Sequence, residues 1–584
     1  MTDTGNRAAL LPVSLVAAVF LATAAGAATI PVDATGQNGY SSIFLGIHWA
    51  SDGDTVLVHP GVYGGAGNCD LTVTGEDLTL VSLGGHEVTI IDLQGQPGIL
   101  LEGWHTDAMA IDGFTFTSAG DAASPYAVYA EDGAAFRIRD CVFRDRALIE
   151  ATGYGERTIS GCEFTDNSYA IRLDEPSKVT VRGCEFDGNQ YGAYLGSLHA
   201  GLHSVTFACC SFVGNGRCML LRSNSYVLVD SCSFAQSTSG PWSWNTGTSV
   251  ELTTHFPAIV TVSNCSFIGN HSTESAGAME ITCYGGRIDI EDCLFENNMA
   301  RHSGGAVFCE GESVTFSRCT FRRNTASAGG AVFADESGTT GIVKATDCVF
   351  EENEAADGGA VASTHWRLAA SGCEFMRNTA ERGGAVFGRE GLTDVDGCLF
   401  TGNHAHMWGG SACFMDASRT PGNTFDRCTF DANRSHRGGV ALADHSLVKL
   451  TECTLFGNRA DDASVVATRD AQSVLERTVA SFAGVGAAVS VQLGSAAWVT
   501  ACAVFGNAGG DSLAGAGIHP SDNLFVDPLF CDVAAGDYTL CVNSPCAPAN
   551  NPLDVLIGAH YTGCGYCDNP VEPTTWGAIK AMYR

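Results

Sequence analysis

Few segments of this chain place side chains at spacings that serve catalysis or metal binding. Asp461 and Asp462 form the most obvious carboxylate pair, and paired carboxylates carry out acid–base hydrolysis. They follow a turn, so a solvated turn is the competing interpretation. Cys564 and Cys567 have the spacing of a zinc or redox pair, but a single pair is a weak signal. We therefore assign no catalytic, cofactor-binding or metal-binding residue and expect no cofactor.

Two aromatic segments are the better candidates for contact with a ligand. His404, His406 and Trp408 fall together in a turn, where they could contact a sugar or a metal ion. Trp242 and Trp244 lie in an insert and would display two indole rings to a sugar or a protein. The alternatives are a decorated surface loop for the first segment and packing against the side of the molecule for the second.

Both aromatic segments lie between copies of a repeated phrase, Cys-x-Phe-x-x-Asn. The phrase recurs along the chain at intervals of roughly 25 residues. Side chains at equivalent positions would stack as ladders, with phenylalanine rings inside and asparagine amides at the turns. The clearest copies include Cys293/Phe295/Asn298, Cys319/Phe321/Asn324, Cys348/Phe350/Asn353 and Cys373/Phe375/Asn378.

Each repeat contains three short strands. Apolar residues alternate with polar ones before the Cys, as in Val179-Thr180-Val181, and the Cys and Phe continue the alternation after a two-residue break. A period of two is typical of a strand. The Asn marks a turn because it tolerates left-handed backbone angles. In the middle of the chain Gly329-Gly330 precedes Ala331-Val332, which predicts a second turn and a third strand.

Three strands per repeat predict an all-β fold, a single-stranded right-handed parallel β-helix in which stacked coils share one core. A leucine-rich repeat would need leucine-dominated spacing, and a propeller blade would need about 40 residues. At the N-terminal end, Ser42 to Ala50 reads as a short amphipathic capping helix with Ile43, Ile47 and Leu45 on one face.

The expected organisation has five parts. They are a signal peptide (1–27), an N-terminal cap with the first coil (28–67), the β-helix (68–530), a Cys-rich closing segment (531–569), and a tail that is either a sorting tag or a frayed end (570–584).

Two family resemblances follow from these phrases. The segment from Asp52 to Tyr63 resembles the entry to pectin-lyase-like β-helix proteins. The Phe-x-x-Asn and Gly-Gly-Ala-Val phrases between Cys265 and Asn458 resemble the repeats of chlamydial polymorphic outer membrane proteins. The second resemblance implies a surface-exposed passenger involved in adhesion. The first implies a fold that often carries polysaccharide-cleaving enzymes.

Of the 25 cysteines, 14 belong to the repeated phrase and 11 do not. Those in the repeats would point inward, mostly as free, buried thiols, and disulfides between neighbouring coils are the alternative. Cys531, Cys541, Cys546, Cys564 and Cys567 crowd the closing segment, where disulfides would substitute for a missing core.

The net charge and the N-terminal sequence predict the cellular location of the protein. Arg7, an apolar run from Ala8 and the small residues Ala25-Gly26-Ala27 read as an export signal that is cleaved before Ala28. A membrane anchor is the alternative. A formal net charge of −33 argues against nucleic-acid binding. We expect a monomer that is secreted or held on the outer cell surface, with no membrane-spanning segment after cleavage.

Two functions remain open. One is a non-enzymatic surface or secreted rod for adhesion or display, which binds a cell-surface or extracellular polysaccharide or protein. The other is a polysaccharide-degrading lyase or glycoside hydrolase. Two or more carboxylates converging with an Arg, Lys or His on one long face would favour the enzyme.

Overall fold

The computed structural model describes residues 27–118, 126–196, 204–223, 226–238, 248–255, 258–335, 341–417, 422–461, 465–492 and 494–567. Nearly all of the expected signal peptide, the tail at 570–584, Trp242, Trp244 and Asp462 lie outside the described residues.

The fold is an all-β parallel solenoid, as predicted, in which three long sheets run along the molecule. We call them the first, second and third sheet, in the order in which the chain visits them within a coil. The first sheet has 20 strands. Its strands are Thr29–Val32, Thr55–Val58, Thr79–Ser82, Ala110–Asp112, Phe136–Arg139, Glu156–Ser160, Lys178–Arg182, Ser204–Ala208, Tyr226–Asp230, Ile259–Ser263, Arg287–Glu291, Ser313–Ser317, Ile342–Thr346, Arg367–Ser371, Leu392–Asp396, Asn423–Asp426, Leu447–Thr451, Gln472–Glu476, Ala496–Thr500 and Ile518–Ser521.

The second sheet carries the phenylalanine of the repeated phrase. Each of its strands pairs in parallel with the equivalent strand of the next coil, so that Phe295 lies opposite Phe321 and Phe321 opposite Phe350. Its strands are Gly61–Gly64, Thr89–Asp92, Thr115–Thr117, Val142–Arg144, Glu163–Thr165, Glu185–Asp187, Ser211–Val213, Ser233–Ala235, Ser266–Ile268, Leu294–Glu296, Thr320–Arg322, Val349–Glu351, Glu374–Met376, Leu399–Thr401, Thr429–Asp431, Thr454–Phe456, Val479–Ser481 and Ala503–Phe505.

The third sheet follows the asparagine turn and leads back to the first sheet of the next coil. Its strands are Leu71–Thr74, Ile99–Glu102, Tyr126–Ala130, Leu148–Ala151, Tyr169–Asp174, Tyr191–Gly196, Arg217–Ser223, Val250–His255, Met279–Tyr284, Val307–Gly311, Val332–Asp335, Val361–Thr364, Val386–Arg389, Ala412–Met415, Ala441–Asp444, Val466–Arg469 and Val489–Val491. Short strands also pair in the asparagine turns: His271–Ser272 with Met299–Ala300, and Thr379–Arg382, His404–Trp408, Arg434–Ser435 and Arg459–Ala460 with one another.

The backbone of the asparagine turn differs from the sequence prediction. The left-handed angle that we expected at the ladder Asn falls instead on the residue before it. The residues that carry it before Asn298, Asn324, Asn353 and Asn378 are Asn297 (φ 55°), Arg323 (φ 55°), Glu352 (φ 54°) and Arg377 (φ 53°). The prediction was therefore wrong by one position. Because the preceding residue makes the bend, the Asn is free to turn its side chain inward, and all four asparagines are buried.

Other tight turns in the coil also use left-handed angles. A residue with a left-handed angle directly precedes the Cys of the repeated phrase, as Asp292 (φ 53°) does before Cys293. Of the Gly-Gly pair, Gly329 has φ 61°, and a Cβ on Gly330 would collide with the Gly359 carbonyl of the next coil. The two glycines thus meet different demands, one for backbone angle and one for close approach.

The interior contains the phenylalanine stack. Ring centroids of Phe295 and Phe321 are 4.7 Å apart with an interplanar angle of 6°, and Phe321 and Phe350 follow at 4.9 Å and 3°. The Phe350–Phe375 pair continues the stack at 4.8 Å. These rings are buried. Parallel in-register strands about 4.8 Å apart impose this spacing.

The asparagines form a second ladder, of hydrogen bonds. Asn324 donates from Nδ2 to the Phe295 carbonyl at 2.9 Å and to Asn353 Oδ1 at 3.0 Å. Its own Oδ1 accepts from the backbone N–H and the amide of Asn298, both at 3.0 Å. Each buried amide therefore satisfies backbone groups of neighbouring coils that water cannot reach.

Asn378 repeats these contacts further along the ladder. Its Nδ2 donates to the Phe350 carbonyl at 2.8 Å and to Asn403 Oδ1 at 3.0 Å. Its Oδ1 accepts from the backbone N–H and the amide of Asn353, both at 3.0 Å. Asn378 is fully buried, so it is an interior amide and not a surface turn residue.

The repeat cysteines lie at the bend between the first and second sheets, where they are buried and unoxidised. The Cys319 thiol donates to the Ile290 carbonyl at 3.4 Å. In neighbouring coils the Cys348 N–H donates to Cys373 Sγ at 3.4 Å. These side chains pack as small apolar groups with a weak donor.

The N-terminal end is capped by a short helix, as predicted. It spans Ile43–His48, begins at Ser42, whose Oγ accepts from the Leu45 N–H at 3.4 Å, and packs on the strands Thr29–Val32 and Thr55–Val58. Ile43 and Ile47 are buried, whereas Leu45 is half-buried. The apolar face thus covers strand edges that would otherwise be open.

The closing segment turns back along the side of the solenoid. It contains the strands Phe530–Asp532, Asp537–Cys541 and Thr562–Cys564 and the 3₁₀ helices Val533–Ala535 and Pro548–Asn550. Its apolar residues pack with Val479 and Ala503 on the outer face of the second sheet.

Sulfur atoms in the closing segment meet in two pairs at disulfide distance, Cys531 with Cys564 and Cys541 with Cys567. Cys546, which we expected to be oxidised with them, is a free buried thiol. Burial raises its pKa to about 12, which keeps the thiol protonated. It lies in the apolar cluster with Leu540 and Ile557, and so serves as core.

Candidate functional site

The outer face of the third sheet, between Leu148 and Tyr284, concentrates polar and aromatic side chains. We call it the tyrosine–glutamate face. One row, one residue per coil, is set by the strand register and runs through Glu150, Arg172, Tyr194, Leu220, Glu251 and Glu280. A second row beside it holds Tyr169, Tyr191 and Arg217. Period-two alternation turns the first-row side chains outward while their neighbours enter the core.

One end of this face is aromatic. Tyr169 and Tyr191 stack with centroids 4.6 Å apart and an interplanar angle of 7°, and Tyr194 meets Tyr169 edge-on at 6.3 Å. The Arg172 guanidinium lies 5.9 Å from the Tyr194 ring centroid. Burial raises the pKa of Tyr169, and the neighbouring Tyr191 hydroxyl adds to the shift. These half-buried rings offer a rigid platform with polar rims.

A surface pocket of about 320 Å³ opens beside the platform. It is lined by Tyr194, Asp174, Glu175, Arg222 and the Thr152 turn, among others. Aromatic, acidic and basic groups at one opening can combine stacking with hydrogen bonds to hydroxyl groups.

The other end of the face carries two carboxylates and a cation. Arg217 Nη1 pairs with Glu251 Oε2 at 2.8 Å, and the side chains of Arg217 and Glu251 are only 8% and 18% exposed. The Thr248 hydroxyl donates to Glu280 Oε2 at 3.4 Å. Burial raises the pKa of Glu280, with the charge of Glu251 as the next cause, while Arg217 opposes the shift. Carboxylates and an arginine thus converge on one long face.

Sequence reasoning missed this set because it followed the Cys-Phe-Asn phrase instead of the third strands. An available signal was the parallel between Val250-Glu251-Leu252 and Met279-Glu280-Ile281, each with an acid between two inward apolar residues. The Trp242 and Trp244 insert lies outside the described residues. In the sequence the two tryptophans lie a few residues before Thr248 and Glu251.

The second predicted aromatic segment is built differently. His404 and His406 lie in the strand His404–Trp408 with ring centroids 4.5 Å apart, and burial lowers the pKa of His404. Trp408 packs against a buried patch that includes Phe387 and Cys413, and the Arg469 guanidinium lies 5.1 Å from its ring centroid. In this setting Trp408 is a packing residue, and the histidines lie at the turn.

Of the predicted carboxylate pair, only Asp461 lies within the described residues. Asp461 is engaged by Arg459 at 2.9 Å and by Arg434 at 3.7 Å, and Asp462 lies outside the described residues. Among the described residues, the His, Cys, Asp and Glu atoms grouped closely enough to hold a metal ion are the sulfurs of Cys531, Cys541 and Cys564. Because Cys531 and Cys564 are paired as a disulfide, and Cys541 is paired with Cys567, this group is a pair of crosslinks.

Comparison with known proteins agrees with the architecture. A family model described as the right handed beta helix region matches residues 97–256, 198–375 and 358–525. The chain belongs to the right-handed β-helix family. The tyrosine–glutamate face lies within the matched part of this β-helix.

Two further likenesses are weaker. A stretch of 107 residues is 32% identical to metabotropic glutamate receptor-like protein R of Dictyostelium discoideum and covers 18% of this chain and 6% of the relative. A solved structure of a mutant PL6 family alginate lyase covers 83% of this chain and 97% of its own at 8% identity, with a TM-score of 0.26. Likeness at these levels bears on neither substrate nor activity. No helix among the described residues is long and apolar enough to cross a membrane.

Proposed function

We propose that this β-helix is exported and binds an extended, uncharged polysaccharide along the tyrosine–glutamate face. The observation that carries the proposal is the stacked Tyr169–Tyr191 pair with Tyr194 at its edge, open beside a pocket of about 320 Å³. Aromatic faces take up the apolar side of a sugar ring, and neighbouring Arg and Glu side chains bond its hydroxyls.

The shape of the face suits a polymer. Each coil advances about 4.8 Å, so a chain laid across the coils meets an equivalent row of side chains at every step. Glu150, Arg172 and Tyr194 belong to one such row on three successive coils. The net charge of −33 disfavours polyanions such as polyuronates, so the polymer is expected to be uncharged.

Export is supported by sequence features and by the closing segment. The apolar run before Ala28 and the small residues Ala25-Gly26-Ala27 fit a cleaved signal, and closely paired cysteines suit an oxidising compartment. The Phe-x-x-Asn and Gly-Gly-Ala-Val phrases resemble those of surface-exposed passengers. N-terminal sequencing of protein exported by a bacterial host is expected to begin at Ala28. Retention of residues 1–27 would contradict the cleaved signal.

Binding is tested with the mature chain (28–584) on immobilised cellulose, xylan, mannan, galactan, alginate and polygalacturonate. We expect affinity for at least one uncharged polymer and none for the two polyuronates. Tyr191→Ala and Tyr194→Ala are expected to weaken binding about tenfold each, since a stacking contact is worth up to roughly 1.5 kcal/mol. Tyr226→Ala is the matched control, because Tyr226 is 54% exposed on the first sheet. Binding that is unchanged in both tyrosine variants, or that is confined to polyuronates, would overturn the proposal.

A further inference from the structure

Four of the five cysteines in the closing segment bring their sulfur atoms to one place. The Sγ atoms of Cys531, Cys541 and Cys564 lie within 4.8 Å of one another, and Cys567 Sγ is bonded to that of Cys541. Across the two disulfides, the Sγ atoms of Cys541 and Cys564 are 3.7 Å apart. A crosslink needs its sulfurs only in pairs, so the contact between the two pairs is a separate feature of this segment.

The strands of the closing segment position the four residues. Cys531 lies on the first strand, and Cys541 and Cys564 are register partners on the second and third, which run parallel. Cys567 comes three residues after Cys564, and its N–H donates to Asn543 Oδ1 at 3.0 Å. Backbone hydrogen bonds therefore hold these positions together independently of the disulfides.

The distances in the cluster fit a tetrahedral thiolate site. Zinc–sulfur bonds are about 2.3 Å long, so two sulfurs bound to one tetrahedral zinc ion lie about 3.8 Å apart. Cys541 and Cys564 have nearly this separation, at 3.7 Å. The Cα atoms of the two bonded pairs are 6.0 and 5.8 Å apart. Rotation of the side chains can therefore open each pair of sulfurs to about 3.8 Å without moving the backbone.

The cluster is open to solvent on one side. Cys531, Cys564 and Cys567 are half-buried, whereas Cys541 is buried. A reductant and a metal ion can therefore reach the sulfurs. The fifth cysteine, Cys546, lies apart from them in the apolar cluster of the closing segment, where it serves as core.

We propose that Cys531, Cys541, Cys564 and Cys567 bind one Zn²⁺ ion as four thiolates when the two disulfides are reduced. A dithiol reductant opens each disulfide: two electrons and two protons pass to the pair of sulfurs, and the reductant is oxidised to its own disulfide. Zn²⁺ then takes the four sulfurs as ligands, and their four protons pass to water. The same four residues thus hold the closing segment together in either redox state.

The ligand set selects zinc. Thiolates are poor ligands for Mg²⁺ and Ca²⁺, which require oxygen, and a tetrahedral set of four sulfurs is typical of zinc. Cys564 and Cys567 have the spacing of a zinc ligand pair on their own. Cys531 and Cys541 become the other two ligands only through the fold, because they lie on different strands.

The first test measures metal binding by the mature chain, with Cys209→Ser introduced to remove an exposed free thiol. The chain is reduced with dithiothreitol and freed of reductant without oxygen. We expect it to retain one zinc ion in the presence of the chelator 4-(2-pyridylazo)resorcinol, and to give the intense visible absorption of a tetrahedral thiolate complex when Co²⁺ replaces zinc. The oxidised chain should retain no metal. Absence of bound metal in the reduced chain would overturn the inference.

Variants assign the metal to this cluster. Cys564→Ser and Cys567→Ser should each lose the zinc ion and the cobalt absorption. Cys546→Ala, in the same segment, is the matched control and should keep both. Zinc retained by both serine variants would assign the metal to other thiols and overturn the inference.

A measurement on the unaltered site covers the case in which a serine variant loses its β-sheet circular dichroism. X-ray absorption of the zinc-loaded chain should show four sulfur neighbours at about 2.3 Å from zinc. Nitrogen or oxygen neighbours in place of two or more sulfurs would overturn the tetrathiolate site.

Proteolysis shows whether zinc holds the closing segment. Tyr561 and Tyr566 flank the strand Thr562–Cys564 and are 71% and 79% exposed. Chymotrypsin should cut after them about tenfold faster in the reduced, metal-free chain than in the zinc-loaded chain, because cleavage follows the population of the opened segment. The oxidised chain should resist cleavage as the zinc-loaded chain does. Equal rates with and without zinc would contradict a zinc site that holds the segment together.

Discussion

The Thr429 hydroxyl and His560 Nε2 lie 2.6 Å apart, although 131 residues separate them in the chain. Thr429 belongs to a strand of the second sheet, and His560 to the closing segment. Beside them the Ala559 N–H donates to Thr454 Oγ1 at 3.0 Å, and the ring of Phe456 packs on Phe530 and Tyr538. The closing segment is therefore held along the flank of the solenoid.

Acidification should loosen this attachment. Burial lowers the pKa of His560 from 6.5, so the unfolded chain takes up the proton first as the pH falls below that value. The stabilisation is complete above pH 6.5 and is lost as the pH falls through the folded-state pKa. The protection factors of the amides in the strand Thr454–Phe456, which correct for the pH dependence of intrinsic exchange, should fall between pH 7.5 and 5. His560→Gln should reduce this pH dependence, whereas His519→Gln, exposed on the first sheet, should retain it. An identical pH response in wild type and His560→Gln would contradict the assignment.

Removing one rung of the asparagine ladder should weaken the local coils. Asn324→Ala leaves the Asn298 N–H and the Phe295 carbonyl without their partner at 3.0 and 2.9 Å. Buried backbone groups left unpaired cost about 1–3 kcal/mol each, so we expect a loss of about 2–4 kcal/mol in urea unfolding. Thr320→Ala, which faces outward in the same coil, should cost less than about 0.5 kcal/mol. Equal effects in both variants would show that the amide ladder adds no stability.

Arg157 is an ionisable group inside the apolar core. Its side chain is 1% exposed, lies in register between Phe136 and Val179, and donates from Nη2 to the Thr152 carbonyl at 2.7 Å. Burial lowers its pKa to about 10. Because burying a charge is costly, Arg157→Met should raise the free energy of unfolding by about 1–3 kcal/mol.

Thermal unfolding checks this expectation. Arg137→Met is the control, since Arg137 is 43% exposed and its pairing with Asp107 is worth less than about 1 kcal/mol. A lower melting temperature for Arg157→Met would show that the guanidinium is stabilised within the core by contacts stronger than the hydrogen bond to Thr152.

Glu280 should make the protein less stable as the pH rises. Its folded-state pKa lies above 4.5, so the folded chain retains a proton that the unfolded chain has lost. The free energy of unfolding is highest below pH 4.5 and falls as the pH rises from 4.5 to the folded-state pKa. Glu280→Gln removes this penalty, so its advantage over wild type should be larger at pH 7.5 than at pH 4. Denaturant unfolding at the two pH values measures it, with Glu163→Gln as the control. An equal advantage at both values would contradict the raised pKa.

Much of the fold could be predicted from the sequence because its determinants are local. Alternation such as Val179-Thr180-Val181 specifies a strand, and the repeated Phe specifies an inward position that must stack on its equivalents. The amphipathic helix at Ile43–His48 follows from the same patterning. The exception is the ladder Asn. At Asn378 the left-handed angle falls on Arg377, and the Asn amide lies in the interior, because its partners belong to neighbouring coils and cannot be read from one turn.

Only the tertiary structure decided which side chains meet. Register places Glu251 beside Glu280 and Tyr169 beside Tyr191, although the intervening chain varies in length from coil to coil. Likewise, Cys546 is buried in an apolar cluster, and the closing segment packs against the outer face of the second sheet. Long-range packing determines where such an apolar segment is buried. The sequence determined the repeating coil, since hydrophobic period and turn chemistry act over a few residues. The candidate site depends on the stacking of coils, which brings together residues that are distant in the chain.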